Sequence, residues 1–352
     1  MKLKSFSIAL SGMFLFFCYT CSSSHGWKQI SSVGTLSNNE IGSIVFFNVF
    51  EGIAISPNEL IQTNDGGETW KVVFHNKGAS YKKIVKTSAE SALVIGSDVR
   101  DVFDIEDGNE PSGSQKRQPT ILKTDNRGAD WDKVTIEPEL LKKREDRFPS
   151  FTDLCVDKNG VVWIVGDNGI IQAKLDNDNL KIDSVTAKDE AFVAINCRNS
   201  GDIIAVGVFG VLLNHQGVWA KFNTPIDNKK SIVWVQIAES DGYYFLVGNK
   251  TKEHSKKKET SVEGVLFRSR DNGDTWEDKT PSSASGLFDI HFDKKNGWLV
   301  GREGTIFRTT NTGDLWTSAK SPTKNDLTSM FFLDSNHGWA VGDKFTILKY
   351  ED

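Results

Sequence analysis

Eight residues constrain this fold more than any others, because the chain keeps repeating them. They read Thr63-Asn64-Asp65-Gly66-Gly67-Glu68-Thr69-Trp70, and Ser269 to Trp276 has the same skeleton of hydroxyl, Asp, Gly, Thr and Trp at fixed offsets. Thr124 to Trp131 and Thr309 to Trp316 keep the hydroxyl, the Gly and the Trp, with Asn126 and Asn311 in place of the Asp. A recurring spacing of this kind marks a repeat architecture. Between the copies lie short apolar runs with turn residues between them, such as Ile53-Ala54-Ile55, Ser56-Pro57-Asn58, then Leu60-Ile61-Gln62. That grammar is four short strands per unit, here predicted at 44–48, 52–56, 59–63 and 69–74.

The unit returns six more times, with a period of about 40 residues. In the fourth unit the motif is worn: Asn214 lies five residues before Trp219, but Gly217 is displaced. The seventh unit stops after three strands at Phe345-Thr346-Ile347-Leu348, while Gly26 to Ser31 offers a Trp27-bearing strand with no unit of its own. Seven four-stranded units predict an all-β, seven-bladed β-propeller over residues 26–352. The orphan strand is expected to close the last blade as its outer strand, which removes an exposed edge. Val99–Pro119 and Lys250–Glu263 interrupt units 2 and 5 and read as solvated loops. Residues 138–147 read as a short helix.

Within each motif the acidic or amide side chain can accept backbone N–H bonds across the turn. The glycines Gly67, Gly128, Gly273 and Gly313 tolerate a positive φ. Trp70, Trp131, Trp276 and Trp316 can each bury roughly 200 Å² over the end of a blade. Asp65, Asn126, Asp271 and Asn311 are therefore expected to be structural. This Ser/Thr-x-Asp-x-Gly-x-Thr-Trp unit resembles the Asp-box, or BNR repeat, of sialidases and sortilin-type receptors. The longer phrase from Gly297 to Trp316 is most similar to the photosystem II assembly and stability factor family. That resemblance covers roughly residues 26–352. It implies a seven-bladed, exported, sometimes lipid-anchored and non-enzymatic assembly chaperone.

A sialidase would need an arginine triad and a Tyr–Glu pair, and the nearest string to its Arg-Ile-Pro signature is Arg147-Phe148-Pro149, which follows two boxes instead of preceding them. The six His are scattered, with no ligand spacing for a metal, and no phosphate loop or nucleophile triad emerges. No cofactor and no metal are expected. A glycosidase or lyase with carboxylates at the ring mouth stands as the alternative function. The expected role is protein binding, with a glycan as the alternative ligand and a monomeric state. Loops joining strands two and three share a face with the blade-to-blade connections, opposite the boxes. That face carries Arg100, Asp167, Asn168, Arg302, Glu303, Asp343 and Lys344, the candidate binding residues.

Charge excludes a general nucleic-acid binder, since 42 basic residues face 47 acidic ones for a net charge of −5. The first 20 residues read as a signal peptide, with Lys2 and Lys4 before an apolar run from Ile8 to Phe17. Small and polar residues around Cys21 resemble a bacterial lipoprotein box, which makes Cys21 the expected lipidation site and the cell envelope the expected location. Membrane attachment is then by the anchor alone. Cys155 and Cys197 remain. Aligning their units matches Cys155 to Asn196, one residue short of Cys197, and adjacent strand positions point to opposite faces. This parity disfavours a disulfide and favours two buried thiols.

Overall fold

Each second strand is a nearly unbroken apolar run, as in Val161-Val162-Trp163-Ile164-Val165-Gly166, of which five residues are buried. Such a run suits a strand covered on both faces, and the ring supplies that cover by packing every blade between two others. The computed structural model describes residues 26–30, 40–99, 117–137, 150–198, 200–207, 210–225, 232–254 and 259–351. The signal peptide, Cys21, Arg100 and the expected 138–147 helix lie outside the described residues.

Seven antiparallel sheets form the ring. Blade 1 is Ser43–Phe46, Gly52–Ile55, Glu59–Thr63 and Lys71–His75, and blade 2 is Ser80–Lys86, Ala92–Val99, Arg117–Thr124 and Asp132–Lys133. Blade 3 runs Phe151–Val156, Val161–Gly166, Gly169–Asp176 and Asn179–Thr186, and blade 4 runs Phe192–Cys197, Ile203–Gly207, Gly210–His215 and Val218–Phe222. Blade 5 is Ile232–Ser240, Tyr243–His254, Glu259–Ser269 and Glu277–Asp278, and blade 6 is Leu287–Asp293, Asn296–Gly301, Ile306–Thr309 and Thr317–Ser318. Blade 7 is Leu327–Asp334, His337–Gly342 and Thr346–Glu351, completed by Gly26–Ile30 from the other end of the chain. Trp27 faces Tyr350 and Ile30 faces Ile347 in that closing pair. The seven-bladed all-β fold and its closing strand are as the repeats predict.

Blade 3 differs from the four-strand rule. Thr135–Ile136, arriving from blade 2, pairs in parallel with Asn179 and Leu180 and makes a fifth strand. The outer strand there is eight residues long, and covering part of so long an edge blunts it. The Lys250–Glu263 insertion is also not an open loop. Strands Tyr243–His254 and Glu259–Ser269 stay paired from Tyr244↔Ser269 to His254↔Glu259, and Lys250 Nζ meets Glu263 Oε2 at 3.0 Å across the ladder. The main-chain ladder, with that one cross-strand ion pair, holds an arm that carries few apolar residues.

Seven clusters of buried apolar residues fill the seven seams between blades. The motif tryptophans belong to the seams and do not cover blade ends. Trp70 packs with Ile30 and Trp339 between blades 7 and 1, and Trp316 with Phe245 between blades 5 and 6. Trp131, Trp276 and Trp219 are half-buried against the same kind of seam, each on the side of the preceding blade. Trp27 does the same for blade 7, packing with Trp298 and Phe332.

The recurrent Val-Gly at the end of the second strand also gains a cause. A Cβ on Gly166, Gly301 or Gly342 would lie 1.8 Å from the carbonyl oxygen of Ser150, Gly286 or Asp326 respectively. The chain entering each of these blades crosses over that glycine, so no side chain fits.

The expectation for the cysteines is overturned: Cys155 and Cys197 are joined by a disulfide, with their Cα atoms 5.7 Å apart. Cys155 pairs with Trp163 and Asn196 with Ile204 at equivalent register, so Cys197 is offset from Cys155 by one position. The one-residue offset is what lets the two side chains meet. Sheets of neighbouring blades pack face to face, so the blade 3 residue facing blade 4 and the blade 4 residue facing blade 3 must differ by one position. Both cysteines are half-buried in that seam, beside Trp163 and Ile195.

Candidate functional site

Three structures could carry function: the belt of motif turns, the central channel, and the loop face opposite the belt. In the belt, the Thr63 hydroxyl accepts from Gly67 N at 2.9 Å and donates to Asp65 Oδ1. Asp65 then accepts from Thr69, at Oδ1 from the amide and at Oδ2 from the hydroxyl. Ser269, Asp271, Gly273 and Thr275 repeat this network. Where Asn126 replaces the Asp, Asp130 replaces the Thr, and the polarity reverses: Asn126 Nδ2 donates to Asp130 Oδ2 at 2.9 Å. Asn311 keeps the bonds from Thr309 Oγ1 and Leu315 N, while Leu315 has no side-chain donor to add.

The glycines then let each turn approach the preceding blade. A Cβ on Gly128 would meet Ile53 Cδ1 at 2.4 Å, one on Gly273 the Phe222 ring at 2.7 Å, and one on Gly313 the Phe245 ring at 2.4 Å. The preceding blade answers with donors: Gln62 Nε2 to Arg127 O and Arg268 Nη1 to Thr312 O. The carboxylates are occupied within their own turns. Among the described residues no group of three or more His, Cys, Asp or Glu could hold a metal ion.

The hydrogen bonds from Thr275 hold the Asp271 carboxyl down to about 2. For Asp65, burial pushes upward but the bonds from Thr69 and Thr63 outweigh it, and its value is also lowered. A folded-state value below the unfolded one near 3.9 adds stability above that pH and loses it as pH falls through the folded value. Acid unfolding should therefore steepen between about pH 4 and 2, and Thr275→Ala should raise the Asp271 carboxyl in a carbon-13 NMR titration. An unmoved titration curve would refute the assignment.

The channel runs along the first strands. One residue per blade at a common register forms its belt: Ser43, Lys83, Asp153, Gln236, Asp289 and Ser329 line a cavity of about 350 Å³, and Ala194 holds the equivalent register in blade 4. Six of the seven first strands bulge beside this position. The belt residues reach to the next blade. Asp153 Oδ2 accepts from Ile195 N at 3.0 Å, Asp289 Oδ2 from Met330 N at 2.9 Å, and Ser43 Oγ from Ile84 N at 3.4 Å. Thr152 adds a bond to Phe192 O at 2.8 Å and Thr328 one to Ile41 O at 3.2 Å. Burial pushes the Lys83 ammonium down, but the fields of Asp153 and Asp289 outweigh it and keep it charged. The belt thus joins inner strands that share no ladder. Sequence reasoning missed it, although a carboxylate inside an apolar run, as in Phe151-Thr152-Asp153-Leu154 and Leu287-Phe288-Asp289-Ile290, is its visible signal.

On the loop face the expected residues divide. Arg302 and Glu303 form a short 3-10 turn on blade 6, while Asp343 and Lys344 turn on blade 7. Asp326 ties the two together: its carboxylate accepts from Glu303 N at 2.9 Å and its carbonyl from Asp343 N at 3.0 Å. Glu40 bridges to Asp343 from the far side. Arg302 is exposed and lies across Gly286. Asp167 and Asn168 stand apart on blade 3, where Asp167 Oδ1 accepts from Ser150 N at 2.7 Å. Arg100 lies outside the described residues. Blades 6 and 7 therefore form one rigid charged ridge, with Asp326 the member that no motif announced.

Residues 263–351 match the family described as Photosynthesis system II assembly factor YCF48. Among solved structures, YCF48 bound to a D1 peptide is similar with a TM-score of 0.66 at 17% identity, covering 93% of this chain and 97% of that one. YCF48 from Cyanidioschyzon merolae gives 0.64 at 18% identity, covering 93% and 99%. Virginiamycin B lyase from Staphylococcus aureus gives 0.65 at 12% identity, covering 93% and 99%. At these identities the likeness to solved structures shows the fold alone. No curated protein matches the sequence. The chain is a seven-bladed Asp-box propeller that is similar, over residues 263–351, to the Photosynthesis system II assembly factor YCF48 family.

Proposed function

We propose that this chain is an exported, lipid-anchored propeller that binds a protein partner through its loop face and scaffolds assembly of a membrane complex, without catalysis of its own. The family match over residues 263–351 carries the reading, because that segment supplies the blade 6 and blade 7 ridge of Arg302, Glu303, Asp326, Asp343 and Lys344. YCF48 has been solved with a D1 peptide, which is a protein ligand on the same architecture. Export is supported by the positively charged, apolar N-terminus and by the Cys155–Cys197 disulfide, since disulfides persist in oxidising compartments. Anchoring rests on Cys21.

Capture of partners from a detergent-solubilised membrane fraction, read by mass spectrometry, tests the binding face. Arg302→Ala, Asp343→Ala and Asp167→Ala combined should abolish enrichment of the captured protein while thermal unfolding shows the ring intact. Undiminished capture by the folded triple variant would remove the loop face from consideration. Cys21→Ser should shift the protein from the membrane pellet to the soluble fraction; a wild-type protein already soluble would exclude the anchor.

A further inference from the structure

The outer strand of each blade presents a row of backbone donors and acceptors with which another chain can pair. This ring manages those edges unequally. Blades 2, 5 and 6 have two-residue outer strands. Blade 3 has its edge covered in part by Thr135–Ile136. Blades 1, 4 and 7 end on outer strands of five residues, Lys71–His75, Val218–Phe222 and Gly26–Ile30, and a groove flanks that of blade 4.

Strand alternation places Val218, Ala220 and Phe222 on one face, and Phe222 packs in the seam with blade 5. Val218 is 68% exposed and Ala220 is exposed as well. At the Phe222 end of the strand a groove of about 630 Å³ runs between blades 4 and 5. Phe222, Pro225 and the half-buried Trp276 give it apolar walls, Lys221 lines the blade 4 side, and Asp274 and Asp278 line the blade 5 side and leave the groove acidic on balance. The Trp276 ring is fixed, with Nε1 donating to Asn223 O at 3.0 Å and its plane edge-on to Phe222 at 5.8 Å.

We propose that this edge and groove dock an extended, basic segment of a partner protein, which adds to blade 4 as a fifth strand. Its apolar residues would alternate against Val218, Ala220 and Trp276, and its Lys or Arg residues would face Asp274 and Asp278. The molecule already contains the geometry: Thr135–Ile136 adds to blade 3 in this way. Main-chain pairing supplies affinity in such docking and the side-chain pockets supply selectivity. This inference rests on the protein-binding reading but places a second surface on the flank of the ring between blades 4 and 5, apart from the ridge of blades 6 and 7 and from Asp167.

The probe is a fluorescein-labelled, end-capped peptide of about nine residues alternating Val and Lys, long enough to span one strand, with a Val–Glu peptide as its charge-swapped control. The Val–Lys peptide should bind and slow hydrogen exchange of the amides in 218–222, and the control should bind roughly tenfold more weakly or worse. Val218→Lys, a charge placed on the edge, and Asp274→Lys with Asp278→Lys should each weaken binding by at least about tenfold. These sites are on the surface, and an unchanged thermal transition would show that the variants fold. Equal binding of both peptides, protection elsewhere in the ring, or no binding at all would overturn the proposal. The Asp167, Arg302 and Asp343 triple variant should still bind the peptide, so failure of the groove and failure of the loop face are read separately.

Discussion

Replacing Trp27 by Ala is expected to destabilise the ring by about 3–5 kcal/mol, the range for removing a large buried aromatic side chain. Trp27 is 8% exposed, sits edge-on to Phe332 at 5.9 Å and tilts against Tyr350 at 5.3 Å. It packs in the seam between blades 6 and 7 with Trp298 and Val300. It also belongs to the strand that joins the two ends of the chain within one sheet, pairing Gly26–Ile30 with Thr346–Glu351. Losing its packing therefore weakens the ring closure as well as one seam. Thermal unfolding should show a transition lowered by several degrees, since each kcal/mol moves a domain of this size by a few degrees or less. Hydrogen exchange should speed up first in 346–351. A transition unchanged within error, with those amides still protected, would mean that the closing strand contributes little.

Removing the disulfide should have a comparable effect. Cys155 and Cys197 enclose a loop of sequence separation 42, and cross-linking a loop of that length is worth about 4 kcal/mol in the chain-entropy account. Cys155→Ser with Cys197→Ser, or reduction of the wild type, should lower the transition by a similar amount. The seam between blades 3 and 4 is where a staple matters most. Blade 4 carries the worn motif, in which Gly217 N donates to Asn214 Oδ1 at 2.9 Å in a tight two-residue hairpin. Trp219 is only half-buried there. If the double Ser variant unfolds with the oxidised wild type, packing and the bonds of Thr152 and Asp153 hold the seam without the disulfide.

Blade count, ring closure and the motif turns were legible because each rests on local rules. Alternation and turn residues mark strands, and a hydroxyl, an Asp and a Gly at fixed offsets close one hairpin through bonds among themselves. The arm formed by Tyr243–His254 and Glu259–Ser269 was misread because its strands carry charge where a core strand carries apolar residues. What holds it is pairing between strands, as in Lys250 with Glu263. The loop-face ridge was legible only in part. Arg302, Glu303, Asp343 and Lys344 stand out as turn residues, but Asp326 lies in a connection and its role depends on two turns meeting in space.

By itself the sequence determined a ring of seven four-stranded blades, which end completes the seventh, and the internal bonding of each motif, because all of these follow from periodicity and short-range geometry. Tertiary structure alone decided what passes between blades. It showed that the motif tryptophans wedge into seams, that the channel residues Asp153 and Asp289 each reach the next first strand, and that Cys155 meets Cys197 across a one-residue offset. Those contacts depend on how separate sheets face one another, and a repeat pattern along the chain contains no measure of that.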